Sequence, residues 1–206
     1  MPGNPWPRDM LITIDDDLQS LLELLWIREA WLLDPHGDDL PPLLVDSPAL
    51  LGAGQRESAP IAAWEEAWPD VWEQVLRHAG TIRDPGIFDR LQATANGSDE
   101  RAELLRELVG PSWREEFGDE AITPDAEQWM HAQFERRKAR LTDPGAQPER
   151  SSLAALVEAW TCGLTKVVEI PCIGTFTRRI GSHAILVTAE TRASPERYSA
   201  ALREFT

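Results

Sequence analysis

The fold is decided by residues 166–189, where the sequence reads KVVEIPCIGTFTRRIGSHAILVTA. Apolar and β-branched residues dominate this stretch, and Gly174 and Gly181 divide it into three short runs, which is typical of strands joined by tight turns. The predicted strands cover residues 167–172, 176–180 and 183–189. Because the runs are consecutive and their connections are short, we expect a three-stranded antiparallel meander.

The chain before residue 165 has the apolar spacing of helices instead. Predicted helices cover residues 12–33, 58–79, 84–95, 98–109, 123–141 and 151–162. Pro69 lies inside the second of them, and we expect that helix to restart there, because proline lacks the backbone donor and clashes with the preceding turn. A last helix begins at Ser194-Pro195 and closes the chain.

These patterns predict an α+β fold in two parts. Residues 1–142 form an acidic, tryptophan-rich helical body, and residues 151–206 form a helix, the β-meander and a C-terminal helix, packed with the body as one unit. Residues 143–150, rich in proline and glycine, connect the parts. A second proline-rich connection, residues 38–55, has a leucine-rich interior and is expected to lie extended over the core.

The formal net charge of −15 is unevenly distributed. Residues 161–206 hold six basic and four acidic side chains, so the excess of acid lies in residues 1–160. A negative field repels nucleic acid and anionic membranes and attracts basic partners. We therefore expect no binding to nucleic acid or membranes, although acidity that only keeps the protein in solution would give the same pattern.

Several classes of protein are disfavoured by what the sequence lacks. The start has no apolar region of a signal peptide, and no run approaches the roughly 18 apolar residues of a membrane span, so we expect a cytoplasmic protein. Signatures of nucleotide-binding loops, zinc sites and nucleophilic serines are also absent. The sequence thus predicts no cofactor and no metal and leans away from an enzyme without excluding one.

The nine tryptophans are unusual for a chain of 206 residues. Trp64, Trp68 and Trp72 recur at four-residue spacing, so they lie on one face of a predicted helix. Such a stripe is most often part of a core. Because nine indoles are more than one small core readily encloses and tryptophan is enriched at binding hot spots, we also consider these three residues a surface for a partner.

Two sets of potential metal ligands have ordinary structural explanations. The sets are Glu127, His131 and Glu135 on one helix face, and Cys162, Cys172 and His183 near the predicted strands. A charged helix face is usually solvated, and cysteines without a recognised spacing are usually buried apolar residues. We predict no metal site from either set.

The strand that carries Arg178 and Arg179 is the most distinctive local feature. Adjacent residues of a strand point to opposite faces, so one of these arginines faces the covered side unless the strand is an edge. With Arg192 and His183 nearby, they suggest an anion-binding pocket. The other interpretation is a charged edge strand that prevents aggregation.

Two functional hypotheses follow. The first is a protein-interaction role, as an adaptor, neutralising or chaperone-like protein that presents an acidic, tryptophan-bearing surface to a basic partner or to a second copy of itself. The second is an enzyme or small-ligand-binding protein. Its anion site would contain Arg178, Arg179 and Arg192, with His183, Glu169 and Glu190 as weak catalytic candidates.

Overall fold

The computed structural model describes residues 6–82, 84–141 and 147–206. These residues form a four-stranded sheet surrounded by helices. Its strands are β1 (Thr13–Asp15), β2 (Lys166–Ile170), β3 (Thr177–Ile180) and β4 (Ala184–Thr188). Their order across the sheet is β1-β2-β4-β3; the first three in that order run parallel, and β3 pairs antiparallel with β4.

The predicted three-stranded antiparallel meander is wrong in strand number, order and direction. The chain leaves β2, forms β3 at the edge, and turns back at Gly181 as β4, which lies between them. β4 is buried at all of its positions, as expected for a strand covered on both faces. β3 is an edge strand, and its charged residues Arg178 and Arg179 suit that position because side chains at a sheet edge can reach solvent.

Residues 13–15 of the predicted helix over residues 12–33 form β1 instead, so that prediction is wrong at its start. The helices of the described ranges otherwise agree broadly with the predicted ones. They are α1 (Gln19–Ala30), α2 (Ala53–Ser58), α3 (Ile61–Ala79), α4 (Ile87–Ala93), α5 (Asp99–Val109), α6 (Trp113–Phe117), α7 (Pro124–Leu141), α8 (Pro148–Ser151), α9 (Leu153–Thr161), α10 (Ala189–Ala193) and α11 (Pro195–Phe205). None of these helices is long and apolar enough to span a membrane.

The predicted restart at Pro69 is wrong, because α3 continues through this residue. A proline inside a helix costs about 3 kcal/mol through the lost hydrogen bond and the steric clash. Trp68 and Trp72, on either side of it, are both fully buried. The packing of these two indoles keeps the helix continuous and outweighs the local penalty.

Helices cover both faces of the sheet, and neighbouring residues of β2 show the two sides. Val167 packs in a core with α9 and α11, whereas Val168 packs in a second core with α1 and α3. β1, from the N-terminal part of the chain, pairs along β2. The helical body and the C-terminal elements therefore share one sheet.

Candidate functional site

The tryptophan stripe of α3 lies in the core and presents no surface to a partner. Trp64 is 2% exposed, and Trp68 and Trp72 are fully buried. Trp68 stacks on Trp72 with their ring centroids 5.4 Å apart, while Trp64 meets Trp31 and Trp113 edge to face. The stripe faces α1. The interaction surface predicted at these three tryptophans is therefore wrong, and they form part of the core.

The predicted anion pocket does not form, because its arginines lie apart. Arg178 pairs with Glu73 of α3. Arg179 lies on the other face of β3, where it donates to the carbonyl of Phe205 and covers that ring. His183 is exposed at the amino end of β4, whereas Arg192 follows its carboxyl end.

Two of the candidate residues, which the sequence did not predict as a pair, are nevertheless brought together. Arg192 Nη1 donates to Glu169 Oε2 at 2.8 Å, and the Glu169 side chain is only 4% exposed. Glu190, the other carboxylate considered, is half-exposed and lies 4.0 Å from Arg197. The candidate residues Glu169 and Arg192 therefore belong to one site, without Glu190 or His183.

Metal binding finds no support in the part of the chain that the structure describes. No group of three or more histidine, cysteine, aspartate or glutamate side chains there is arranged to hold an ion. The two cysteines also differ in environment, since Cys162 is exposed and Cys172 is buried.

Burial raises the pKa of the Cys172 thiol to about 12, and the carboxylate of Glu29 adds to the rise while Arg28 opposes it. A raised thiol pKa means that the reactive thiolate is absent at about pH 8. We expect one fast-reacting thiol, Cys162, in the native protein and two after denaturation, measured with a chromogenic disulfide reagent. Two fast thiols in the native protein would contradict the buried position of Cys172.

A shallow apolar groove of about 260 Å³ lies beside the C-terminal end of α1. Its apolar lining comprises Leu32, Leu33, Leu43, Pro48 and Leu50. We call this the aliphatic groove. Three of these leucines are more than half exposed: Leu32 at 51%, Leu43 at 55% and Leu50 at 56%.

The apolar surface continues from the groove onto an extended segment. Leu44 forms an antiparallel bridge with Cys172, and both side chains are buried. Their neighbours point outward, so Leu43 lies opposite Ile173 and Val45 is beside Pro171. Of the eleven large hydrophobic side chains exposed in the described residues, five therefore cluster here: Leu32, Leu43, Val45, Leu50 and Ile173.

A buried ion pair holds the segment that forms the groove. The Arg28 guanidinium donates to the carbonyls of Pro41 and Pro42 at 2.6 Å each. Glu29 Oε1 accepts from the backbone N–H of Leu44 at 2.5 Å. Both charged side chains are more than nine-tenths buried and bond to backbone groups through Arg28 Nη1, Arg28 Nη2 and Glu29 Oε1, so they fix the position of residues 41–44 against α1.

Leu32 adopts an unfavourable backbone conformation. Its φ is +55°, in the left-handed region where glycine usually ends a helix. The N–H of Leu33 donates to the carbonyl of Arg28, which completes this helix end. A non-glycine residue in this region lowers the stability of the fold by on the order of 1–3 kcal/mol. The Leu32 side chain is nevertheless exposed in the groove.

A second concave site, which we call the charged cleft, has a volume of about 560 Å³. It lies where β1, β2 and β4 end, between α7, α8 and α10. Its charged lining comprises Arg137, Arg140, Arg150, Arg192, Asp16, Glu149 and Glu169. Of the candidate residues predicted from sequence, Glu169 and Arg192 lie here.

Ion pairs organise the charged cleft around Glu169. Its two oxygens bind Arg192 at 2.8 Å and Arg140 at 3.1 Å, and Arg192 Nε also donates to Glu149 at 2.7 Å. Burial lowers the pKa of Arg192, but these hydrogen bonds more than offset it, so its pKa lies above the ordinary value and the charge is kept. Burial raises the pKa of the neighbouring Tyr198 phenol, which stays protonated.

No family model, curated protein or solved structure matches this chain. The aliphatic groove and the charged cleft therefore carry the functional argument through their own geometry.

Sequence reasoning missed the exposed leucines of the aliphatic groove. Residues 38–55 are correctly expected to cover the core in part, since Leu44 and Leu51 are buried. The signal that distinguishes buried from exposed residues in this segment is alternation. In an extended chain, Leu43 and Val45 flank the buried Leu44 and must therefore face the other way. That signal requires knowing that the segment pairs with residue 172.

Proposed function

We propose that this chain is a protein-interaction module that binds a basic partner through its aliphatic groove. The observation that carries the proposal is the set of three exposed leucines that line the groove, Leu32, Leu43 and Leu50, continued by the exposed Val45 and Ile173 on the adjoining paired segment. Contiguous apolar surface of this kind marks interaction sites, whereas single exposed leucines are ordinary. An adaptor, neutralising or chaperone-like role of the chain would then use leucines in place of the tryptophans.

The aliphatic groove is suited to binding one large apolar side chain of a partner. Burying a leucine side chain contributes about 1.5–3 kcal/mol. Three half-exposed leucines can therefore supply the central contacts of an interface once the cost of association is met. Leu32 supports this use, since an exposed leucine side chain occupies a backbone position that favours glycine.

Charge favours a basic partner over a second copy of the chain. Residues 32–50 contain Asp34, Asp38, Asp39 and Asp46 and no lysine or arginine, and of these four only Asp46 has an ion-pair partner among the described residues, Arg136. The whole chain carries −15, so two copies repel each other, while a positively charged partner is attracted. The partner would present an apolar ridge flanked by lysine or arginine. We place this interaction in the cytoplasm, where the two free cysteines would stay reduced.

Selection from a random peptide library tests the proposal without a known partner. The chain is the target, and the Leu43→Asp variant is used for counter-selection. We expect peptides that combine large apolar residues with lysine or arginine and that bind Leu43→Asp at least about tenfold more weakly, a loss of 1.4 kcal/mol or more. Their affinity should also fall as salt is added.

The matched control is Leu105→Asp on α5, which changes a similarly exposed leucine outside the groove. It should bind the selected peptides as the unmodified chain does. Failure to enrich any peptide, or peptides that bind both variants equally, would contradict the proposal. A dimer that Leu43→Asp dissociates, seen by sedimentation, would replace the basic partner by a second copy.

A further inference from the structure

The charged cleft lies at the place where open α/β sheets bind small ligands. β1, β2 and β4 are parallel neighbours, and their carboxyl ends meet at one edge. Ligands of such sheets occupy the crevice beyond these carboxyl ends. Asp16 directly follows β1, Glu169 lies near the end of β2, and Ala189 directly follows β4.

The charge of this cleft differs from that of the chain. Four arginines and three carboxylates line it, although acidic residues outnumber basic ones by 35 to 20 in the whole sequence. Glu169 is nearly enclosed and is shared by Arg140 and Arg192. It therefore acts as a positioning residue that holds two guanidinium groups at the cleft wall.

Some nitrogen donors around the cleft lack acceptors, although Nη1 of Arg137 is itself paired with Asp16 and Asp17. Among the described residues, no carboxylate lies within ion-pair distance of Arg150, whose contact with Gln147 is long at 3.5 Å. Within the same described ranges, the buried Arg137 Nε and Gln133 Nε2 have no hydrogen-bond partner. Gln133 and Arg137 line a small cavity that shares Asp16, Arg140 and Glu169 with the cleft. Buried donors of this kind require an acceptor, which an anionic ligand offers.

We infer that the charged cleft binds a small organic anion, a carboxylate or a phosphate monoester with an apolar body. Arg140 and Arg150, the more exposed arginines, contact the anionic group, and Arg137 lies behind them. Trp6, Pro148 and Pro195 line the same cleft and provide apolar surface for the body of the ligand. A planar guanidinium pairs with either head group through two parallel hydrogen bonds.

Titration calorimetry with defined probes tests this inference. The probes are phenyl phosphate and benzoate, with benzamide as the neutral analogue and inorganic phosphate as the head group alone. We expect one or both aromatic anions to bind at millimolar concentration or below, benzamide not to bind, and inorganic phosphate to bind more weakly than phenyl phosphate. Comparison of the two aromatic anions identifies the head group that the cleft prefers.

Variants connect the binding to the cleft. Arg140→Gln and Arg150→Gln should each weaken the preferred anion by at least about tenfold, which corresponds to 1.4 kcal/mol. Arg106→Gln on α5 is the matched control, and it should bind as the unmodified chain does because Arg106 is exposed outside the cleft. Arg140 and Arg150 are exposed to solvent, so we expect both variants to fold, and circular dichroism checks this.

No binding of either aromatic anion, or equal binding by the Arg140→Gln, Arg150→Gln and Arg106→Gln variants, would overturn the inference. Leu43→Asp should leave anion binding unchanged, because the aliphatic groove and the charged cleft share no lining residue. Failure of the proposed protein interaction and failure of the anion site are therefore separate results.

Discussion

Replacing Trp68 by alanine is expected to lower the free energy of unfolding by about 3–5 kcal/mol, the range for removing a large aromatic side chain from a core. Trp68 is fully buried, stacks on Trp72, and lies under the Arg28 guanidinium at 5.4 Å from the ring centroid. Its indole N–H also donates to the carbonyl of Leu24 at 2.9 Å. Denaturant unfolding followed by tryptophan fluorescence and circular dichroism measures the loss.

Phenylalanine substitutions separate packing from hydrogen bonding at this position. Trp68→Phe loses a hydrogen bond that contributes about 1 kcal/mol. The buried Trp72 Nε1 has no acceptor among the described residues, so Trp72→Phe removes an unsatisfied donor and should cost less than Trp68→Phe. Trp160→Ala is the control for Trp68→Ala, because Trp160 is only partly buried. An equal loss for Trp68→Ala and Trp160→Ala would contradict the core position of Trp68.

Removing Glu169 is expected to have the second largest effect, about 3–5 kcal/mol for Glu169→Ala. The substitution leaves Arg192, only 15% exposed, without one of its two carboxylates. Most of the cost comes from this buried cation, since Arg140 is half-exposed and can be solvated. Thermal and denaturant unfolding both report the change.

Glu190→Ala is the matched control for Glu169. Glu190 is half-exposed and only 4.0 Å from Arg197, so its loss should change stability by no more than about 0.5 kcal/mol. The double variant Glu169→Ala/Arg192→Met should recover part of the stability, because the buried cation is removed and Glu149, the carboxylate left without Arg192, is 23% exposed. Similar effects of Glu169→Ala and Glu190→Ala would show that the ion pairs of the cleft do not contribute as described.

The sheet shows what local sequence patterns can and cannot predict. The three C-terminal runs form strands within two residues of their predicted bounds. Local patterns could not predict the full sheet. Its first strand, β1, has only three residues, Thr13–Asp15, and pairs with β2 from the other end of the chain. The uninterrupted apolar run over residues 184–187 was the available clue to a central strand, since a strand of an open meander usually alternates between apolar and polar residues.

The candidate sites were predicted less well than the strands, for two physical reasons. Helical spacing shows that Trp64, Trp68 and Trp72 share a face, but it does not show whether that face meets α1 or solvent. Arg178 and Arg179 were correctly separated by the alternation of a strand, while the partner Glu73 lies on a distant helix. Glu169 and Arg192 were both candidate residues, but their pairing was not predicted, because helix α10 brings Arg192 to the end of β2 only in the folded sheet.

The proposed role of the aliphatic groove is tested most directly by Leu32→Gly. Glycine relieves a left-handed conformation that costs on the order of 1–3 kcal/mol. Its larger unfolded-state entropy and the loss of the half-buried leucine side chain offset that gain, so the variant should be about as stable as the unmodified chain. The measurement is the affinity of a library-selected peptide for this variant, made by fluorescence anisotropy beside its unfolding midpoint. We predict binding weakened at least about tenfold with stability retained. Unchanged affinity in the folded variant would contradict docking at Leu32 and the groove around it.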